Sequence, residues 1–158
     1  MRDIEEAYAE YMDGEKLVDE LHHHVAVHIG VPDSVMWTLR CMCGGSPVCT
    51  QSGIAAKLGV SKQTIGSAVR WLARRGLICM EQLPVARNNK RIVLTPEGKE
   101  FCERNIMPLL EAEDAAFSRL SAREQEVYLS LGIKHNGYLR EEIRALLERM
   151  QGEQGALP

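Results

Sequence analysis

Apolar residues recur at helical spacing over roughly the first forty residues of the chain. The pattern predicts one long helix, or two helices interrupted at Asp13-Gly14. The segment "GVPDS" at 30–34 ends this part, and either Asp33 or Ser34 can cap a following helix. The apolar positions are Ile4, Tyr8, Tyr11, Leu17, Leu21, Val25 and Ile29, followed by Val35, Met36, Leu39 and Met42.

Two further helices, joined by a tight turn, are predicted between Thr50 and Arg75. Thr50 can cap a short helix, "QSGIAAKL". Gly59 ends that helix in the left-handed conformation that glycine tolerates best, and Ser61 caps the next helix two residues later. A helix, a three-residue turn with glycine and a second helix form the helix-turn-helix arrangement.

The second helix of this pair has two distinct faces at about 100° per residue. Its core stripe comprises Ile65, Ala68, Val69 and Leu72. The opposite row, which contains two cations and no acid, comprises Gln63, Ser67, Arg70 and Arg74. Gly66 should cost this helix about 0.5–1 kcal/mol relative to alanine. Close approach of a DNA strand and close packing of another helix both account for a small residue there.

A β-hairpin is predicted after Gly76, which is a second helix-ending signal. The segments "LICMEQLPV" and "KRIVL" predict two short strands around the polar loop "ARNN". Thr95-Pro96 then starts a helix, because threonine can cap it and proline is tolerated at the first helical position. Pro108 should bend or break this helix, and the capping box "SARE" at 121–124 begins another. The apolar residues expected to be buried here are Phe101, Ile106 and Leu109 or Leu110.

These elements predict a mainly α-helical fold with a small β-hairpin wing (α+β), that is, a winged helix-turn-helix with amino- and carboxyl-terminal helical arms. The predicted boundaries are 1–30 for the amino-terminal helix, 31–95 for the winged helix-turn-helix lobe, 96–150 for the carboxyl-terminal helices and 151–158 for a disordered tail.

The net charge of -3 is unevenly distributed. The segment from Lys57 to Thr95 contains eight basic residues and one acid, Glu81, and therefore carries +7. The rest of the chain contains 11 basic and 21 acidic residues and therefore carries -10. An asymmetry of this size marks the middle segment as a candidate surface for a polyanion.

Length and composition limit the class of protein. A chain of 158 residues can bury a core of its own as one domain. Its 45% hydrophobic and 26% charged residues are typical of globular proteins, and no window approaches the roughly 18 apolar residues of a membrane span. The acidic amino terminus lacks the features of a signal peptide, so we expect a cytoplasmic protein whose five cysteines are free thiols.

The helix-turn-helix, the hairpin and the +7 segment together favour DNA binding over a merely solvated basic face. The second helix of such a pair enters the major groove with its amino-terminal residues at base edges. We expect the residues from Lys62 to Ser67 to read bases and the arginines to contact phosphates, with Arg75 as a further candidate. The predicted DNA-binding residues of this helix are Ser61, Lys62, Gln63, Thr64, Ser67, Arg70 and Arg74.

Three cations lie in or beside the predicted hairpin tip: Arg87, Lys90 and Arg91. A wing at this position would follow the adjacent minor groove or the DNA backbone. Alternatively, these cations keep an exposed hairpin from pairing at its edge.

The segments "VCTQSGIAAKLGVSKQTIGSAVRWLARRGLI" and "RIVLTPEGKEF" resemble the multiple antibiotic resistance regulator (MarR) family of bacterial transcription factors. The match runs from about Gly30 to Ser130. The resemblance implies an obligate homodimer in which the terminal helices interlock and two winged helices reach successive major grooves of a pseudo-palindrome. It also implies regulation by a small molecule, often an aromatic anion, bound between the arms and the DNA-binding lobes.

One departure from the family concerns the wing. The family wing commonly carries an Asp-x-Arg motif, whereas this chain has Ala86, Arg87 and Asn88 at those positions. We therefore expect the internal ion pair of the wing to be absent, and which cation reaches the minor groove stays open.

A metal site is a further candidate. His24 and His28 are four residues apart, so both rings could reach one metal from a helix face. The remaining ligands would have to come from elsewhere, such as the cysteines of "CMCGGSPVC". The alternative is a pair of helix-surface histidines at the dimer interface.

Thiol sensing and effector binding have competing structural interpretations. Cys49, Cys79 or Cys102 could sense an oxidant, or could pack as small buried apolar residues. Trp37 and Arg40 could supply the aromatic body and the cationic anchor of a pocket for an anionic effector. Alternatively, the tryptophan packs in the core and the arginine is an ordinary surface residue.

No nucleophile with a base, glycine-rich phosphate loop or paired carboxylates occurs at a catalytic spacing, so we do not expect an enzyme. The sequence predicts a homodimeric regulator that binds a pseudo-palindromic operator in double-stranded DNA, most simply a repressor released by a small-molecule effector. The alternatives are a metal- or thiol-responsive regulator of the same fold, and a winged-helix module that binds an acidic protein without binding DNA.

Overall fold

The structure is a computed structural model that describes residues 3–44, 49–82 and 90–154. It is mainly helical with one antiparallel hairpin, as predicted. The elements are α1 (Ile4–His28), α2 (Asp33–Cys43), α3 (Gln51–Leu58), α4 (Lys62–Arg74), β1 (Ile78–Gln82), β2 (Lys90–Leu94), α5 (Pro96–Asn105), α6 (Met107–Ser118) and α7 (Ala122–Gln154). The chain forms two compact units, 1–112 and 113–158. None of the described helices combines the length and apolar character that crossing a membrane requires.

The core of the first unit lies between α2 and α4 and extends to the end of α5. Burying a large apolar side chain contributes about 1.5–3 kcal/mol, so this cluster is the main source of stability for the lobe. All four residues of the predicted α4 stripe are buried, which confirms that prediction. The largest fully buried side chains are Val35, Met36, Thr38, Leu39, Ile65, Leu72 and Ile106.

The turn between α3 and α4 is built as the sequence predicts. The Thr50 hydroxyl accepts a hydrogen bond from the Gly53 amide (3.1 Å), which caps α3. Gly59 is left-handed, with φ 66°, and the Ser61 hydroxyl accepts from the Thr64 amide (3.0 Å). These local contacts fix the direction in which α4 leaves the turn.

The hairpin is joined to the helix-turn-helix through the residues just before α3. Strands β1 and β2 pair in a register that places Glu81 opposite Arg91. The Ile92 amide donates to the Cys49 carbonyl (2.7 Å), and Thr50 forms a β-bridge with Arg91. The base of the wing is therefore held by the start of α3 as well as by its own strands.

Helix α5 begins in close contact with the turn after α4. The Thr95 hydroxyl donates to the Gly76 carbonyl (2.6 Å), and the Thr95 amide donates to the Leu77 carbonyl (3.1 Å). The same hydroxyl caps α5 by accepting from the Gly98 amide (3.0 Å). A Cβ on Gly98 would lie 2.9 Å from the Leu77 carbonyl carbon and closer still to its oxygen. Only glycine allows α5 to pack this closely against Leu77.

The start of α2 differs from the prediction, whereas α1 follows one of its two predicted alternatives. Neither Asp33 nor Ser34 caps α2, because Pro32 occupies the N-cap position and Asp33 is the first helical residue. The Asp33 carboxylate instead pairs with His23 of α1, at 3.0 Å from Nδ1. Helix α1 is also uninterrupted at Gly14, so the alternative of two helices is wrong.

The carboxyl-terminal helices follow the predicted signals with one correction. The helix that begins at Pro96 ends at Asn105, and α6 starts two residues later with Pro108 in its first turn, which confirms a break. In the second unit, the Ser121 amide donates to the Glu124 carboxylate (2.8 Å) and the Glu124 amide donates to the Ser121 hydroxyl (3.4 Å), as expected of a capping box. Helix α7 continues to Gln154, so the assignment of 151–154 to a disordered tail was wrong.

Candidate nucleic-acid interface

The solvent-facing row of α4 carries the residues predicted to contact DNA. Their exposure follows from the burial of the opposite stripe, because the two faces lie about 180° apart on one helix. The helix has no acidic residue in its first turn. The exposed residues of this surface are Ser61, Lys62, Gln63, Thr64, Ser67, Arg70 and Arg74, and we call them the α4 surface.

The amino-terminal hydroxyls of the α4 surface contact one another. The Ser61 and Thr64 hydroxyl oxygens lie 2.8 Å apart, in addition to the capping bond from the Thr64 amide. Thr64 also lines a cavity on the side of α4 that faces α2. Ser61 and Thr64 therefore serve the local structure, and Lys62, Gln63 and Ser67 are the better candidates for base contacts.

The arginines of α4 differ in their contacts. The Arg70 guanidinium donates to the Ser67 hydroxyl (2.9 Å), so this arginine points back along the helix and forms one polar group with Ser67. Arg75 stacks over the Trp71 ring, with its guanidinium carbon 3.6 Å from the ring centre. Because stacking directs Arg75 onto Trp71, Arg74 is the better candidate for a phosphate contact at this end of the helix.

Gln51, at the start of α3, makes a contact with α4 that was not predicted from the sequence. Its side-chain amide donates to the Lys62 carbonyl (2.9 Å) at the amino end of α4. A Cβ on Gly66 would lie 2.7 Å from the Gln51 Nε2 atom. Gly66 is therefore explained by the approach of Gln51, and the only sequence signal for this contact was the glycine itself.

The wing is only partly described. Arg87 lies outside the described residues, together with Ala86 and Asn88. Lys90 and Arg91 are exposed and begin β2, opposite Gln82 and Glu81 respectively. Because opposite charges on facing strand positions attract each other, Glu81 partly offsets the charge of Arg91. Lys90 faces the uncharged Gln82, so its charge is less offset than that of Arg91, the other described wing cation.

Of the two residues predicted to line an effector pocket, Trp37 lines a cavity and Arg40 does not. A cavity of about 330 Å³ lies between α2 and the helix-turn-helix. Arg40 instead stands over the Trp37 ring, with its guanidinium carbon 5.5 Å from the ring centre. The cation in the lining is Lys57. The residues that line the cavity are Ser34, Trp37, Lys57, Leu58, Val60, Thr64 and Ile65.

The histidine cluster on α1 does not form a metal site with other described residues. His24 and His28 are both exposed. Their neighbours in sequence have other partners: His23 pairs with Asp33, and the His22 ring lies 4.7 Å from the Trp37 ring. Within 3–44, 49–82 and 90–154, no group of three or more histidine, cysteine or acidic side chains could hold a metal ion.

The cysteines are free thiols in different environments. Cys41, Cys49 and Cys102 are buried, Cys43 is half-buried and Cys79 is exposed on β1. The expected packing role therefore fits Cys49 and Cys102 but is wrong for Cys79.

No family model and no curated protein matches the sequence. Solved structures do match the fold. A MarR family regulator from Neisseria meningitidis is 16% identical, with a TM-score of 0.71, over 91% of this chain and 98% of that one. MarR from Staphylococcus aureus, in complex with salicylate and kanamycin, is 17% identical, with a TM-score of 0.66, over 87% and 93%.

A third structure is a mutant of MepR from Staphylococcus aureus bound to an oligodeoxyribonucleotide. It is 22% identical, with a TM-score of 0.51, over 84% of this chain and 96% of that one. At such low sequence identity, these matches show similarity of fold alone. The chain therefore resembles the MarR-family transcriptional regulators in its winged-helix architecture over most of its length.

Proposed function

We propose that this protein is a sequence-specific DNA-binding regulator that inserts α4 into the major groove. The observation that carries the proposal is the α4 surface, which is exposed, free of acids and opposite a fully buried stripe. In this proposal Lys62, Gln63 and Ser67 meet base edges, and Arg70 and Arg74 contact phosphates. The MepR structure with bound oligodeoxyribonucleotide supports the proposal, since it has a similar fold.

A duplex-binding experiment at several salt concentrations tests the proposal. The slope of log K against log salt should be negative, by about 0.9 for each phosphate neutralised. Arg74→Ala should make the slope less steep by about 0.9 for each copy of Arg74 in the complex. Arg104→Ala is the matched control, because Arg104 is an exposed arginine on α5 that pairs with Glu100 (2.6 Å), and it should leave the slope unchanged.

Two results would contradict DNA binding by α4. The first is no measurable binding of a random duplex at low salt. The second is an equal change of slope for Arg74→Ala and Arg104→Ala. Binding of an acidic protein in place of DNA would instead support the interaction-module alternative.

We further propose that the active form is a homodimer. Helix α1 and helix α7 each expose a series of large apolar side chains, and exposed apolar surface of this kind marks an interface. On α1 these are Ile4, Tyr8, Tyr11, Met12, Leu17, Val18, Leu21 and Val27. On α7 they are Val127, Tyr128, Leu129, Leu131, Ile133, Tyr138, Leu139, Ile143, Leu146, Leu147 and Met150.

A two-fold dimer would present two copies of α4, and the operator would then be a pseudo-palindrome with half-sites about one helical turn apart. Light scattering should give twice the chain mass of 17.7 kDa. A mass of 17.7 kDa at micromolar concentration would contradict the dimer.

For regulation, we propose a repressor released by a small aromatic anion that occupies the cavity around Trp37. Trp37 offers an aromatic surface and Lys57 a cation, and Thr64 and Ile65 connect the cavity to α4. A ligand that fits better when α4 has moved would weaken DNA binding, and DNA would weaken ligand binding by the same factor.

Salicylate, which the Staphylococcus aureus MarR structure contains, is a suitable probe for this cavity. It should quench tryptophan fluorescence and reduce operator affinity, and Lys57→Ala should reduce both effects. Quenching that Lys57→Ala leaves unchanged would rule out the proposed anchor, whatever the outcome of the duplex experiment.

A further inference from the structure

A side chain of α3 is hydrogen-bonded to the first turn of α4. The Gln51 side-chain amide donates to the carbonyl of Lys62 (2.9 Å), which is the first residue of α4. The Ser61 cap at the same end of α4 closes within three residues, whereas Gln51 and Lys62 are 11 residues apart in the sequence. The bond from Gln51 therefore holds the start of α4 against a second helix.

Gly66 provides the space that the Gln51 side chain occupies. It is buried although it has no side chain of its own. A Cβ at this position would lie 2.7 Å from the Gln51 amide nitrogen and 3.7 Å from the amide carbon, so the amide group packs against Gly66. The Arg70 guanidinium lies 3.6 Å from the same Cβ position. Gln51 thus lies at the edge of the α4 surface, beside Arg70.

The backbone at Gln51 is held by both the helix-turn-helix and the wing. Gln51 is the first residue of α3, and the Thr50 hydroxyl caps that helix (3.1 Å). Thr50 also forms a β-bridge with Arg91 of β2, and the Cys49 carbonyl accepts from the Ile92 amide (2.7 Å). Because the start of α3 is fixed in this way, the Gln51 amide gives α4 an anchor that does not depend on the turn between the two helices.

We propose that Gln51 is a positioning residue that sets the base-reading end of α4. This role rests on the proposed insertion of α4 into the major groove, where the amino-terminal residues of the second helix meet base edges. Lys62 and Gln63 lie at that end of α4. Hydrogen bonds to bases weaken steeply at poor angles, whereas the attraction of a cation to a phosphate depends mainly on distance. Loss of the Gln51 bond should therefore reduce sequence discrimination and leave sequence-independent binding nearly unchanged.

A ratio of two affinities tests this role on the full chain. Duplexes that the wild-type protein selects from a random library supply the preferred sequence, and its affinity is divided by that of a random duplex at one salt concentration. Gln51→Met keeps a side chain of similar length but cannot donate to the Lys62 carbonyl, so the ratio should fall by about tenfold for each copy of α4 in the complex. The affinity for the random duplex should stay within about twofold, because no phosphate contact is removed.

Gly66→Ala tests the same contact from the other helix. The new methyl group displaces the Gln51 amide, so this variant should lower the ratio by a similar factor. Gln51→Ala combined with Gly66→Ala should discriminate no worse than either single variant, because each change removes the same bond. Losses that multiply in the double variant would contradict the proposed role of the bond.

Gln125→Met is the matched control. Gln125 lies in the second unit, and its side-chain amide also donates to a main-chain carbonyl, that of Leu120 (3.0 Å). This variant should keep the wild-type ratio.

Three results would overturn the role of Gln51. Equal ratios for the wild type and Gln51→Met would remove this role and leave the proposed DNA binding intact. An equal loss of affinity for preferred and random duplexes in Gln51→Met would show a general loss of structure in place of a loss of positioning. A wild-type protein that binds all duplexes equally would overturn sequence-specific binding and the role of Gln51 together.

Discussion

Among the Gly→Ala substitutions of this protein, Gly98→Ala should be one of the most destabilising. Gly98 lies in the first turn of α5, where its α-carbon faces the Leu77 peptide group. The new methyl carbon would lie 2.9 Å from the Leu77 carbonyl carbon, closer to the oxygen, and 3.3 Å from its α-carbon. All three atoms belong to the backbone, so no side-chain rotation can relieve the overlap.

The cost can be worked out from the contacts that must change. If α5 moves away from Leu77, the two hydrogen bonds that Thr95 donates to Gly76 and Leu77 lengthen or break. Each such bond contributes about 0.5–1.5 kcal/mol, and overpacking adds about 1–3 kcal/mol. Alanine favours the helix by about 1 kcal/mol relative to glycine, which offsets part of the loss. The expected net destabilisation is about 1–5 kcal/mol.

Urea unfolding followed by circular dichroism measures this change, with both proteins at the same concentration because association alters apparent stability. Gly14→Ala is the matched control, since a Cβ at Gly14 meets nothing within 4 Å in the described chain. That variant should be more stable by about 0.5–1 kcal/mol. A Gly98→Ala protein as stable as the wild type would refute the close approach of α5 to Leu77.

Three further outcomes are expected. Gly66→Ala displaces the Gln51 side chain but gains helix propensity, so urea unfolding should show a net change within about 1 kcal/mol, and a loss above 2 kcal/mol would contradict this account. Hydrogen bonds from Ser121 hold the pKa of Glu124 below its usual value, so this carboxylate stabilises the protein at neutral pH and the stabilisation is lost as pH falls below about 4. The melting temperature of Glu124→Gln should therefore fall less on acidification than that of the wild type. Gln63→Ala should reduce discrimination at one base pair by about 1–3 kcal/mol in competition binding, with the salt slope unchanged.

The sequence predicted those features of the fold that depend on neighbouring residues. The Thr50, Ser61 and Thr95 caps and the left-handed Gly59 were all predictable, because each motif closes within four residues along the chain. The buried stripe of α4 was predictable for a related reason, since helical periodicity assigns its face without reference to any partner.

Contacts between distant segments could not be predicted in this way. The Asp33 carboxylate could either cap α2 or pair with His23, which is ten residues away in sequence. In the structure it pairs with His23. Trp37 lines a cavity, whereas Arg40, the cation that the sequence paired with it, does not. The cation in the cavity belongs to Lys57, which reaches it only through the packing of α3.

The helical glycines show why residue type alone cannot locate such contacts. Gly14, Gly66 and Gly98 all lie inside helices and carry the same cost in helix propensity. At Gly14 a methyl group would meet open space, at Gly66 the end of a flexible amide, and at Gly98 a peptide backbone. The atoms that the new methyl group meets therefore decide whether alanine stabilises the protein, is tolerated or displaces a helix. At Gly66 the nearest of these atoms belongs to Gln51, so the small residue on α4 is explained by the packing of α3 without any appeal to DNA.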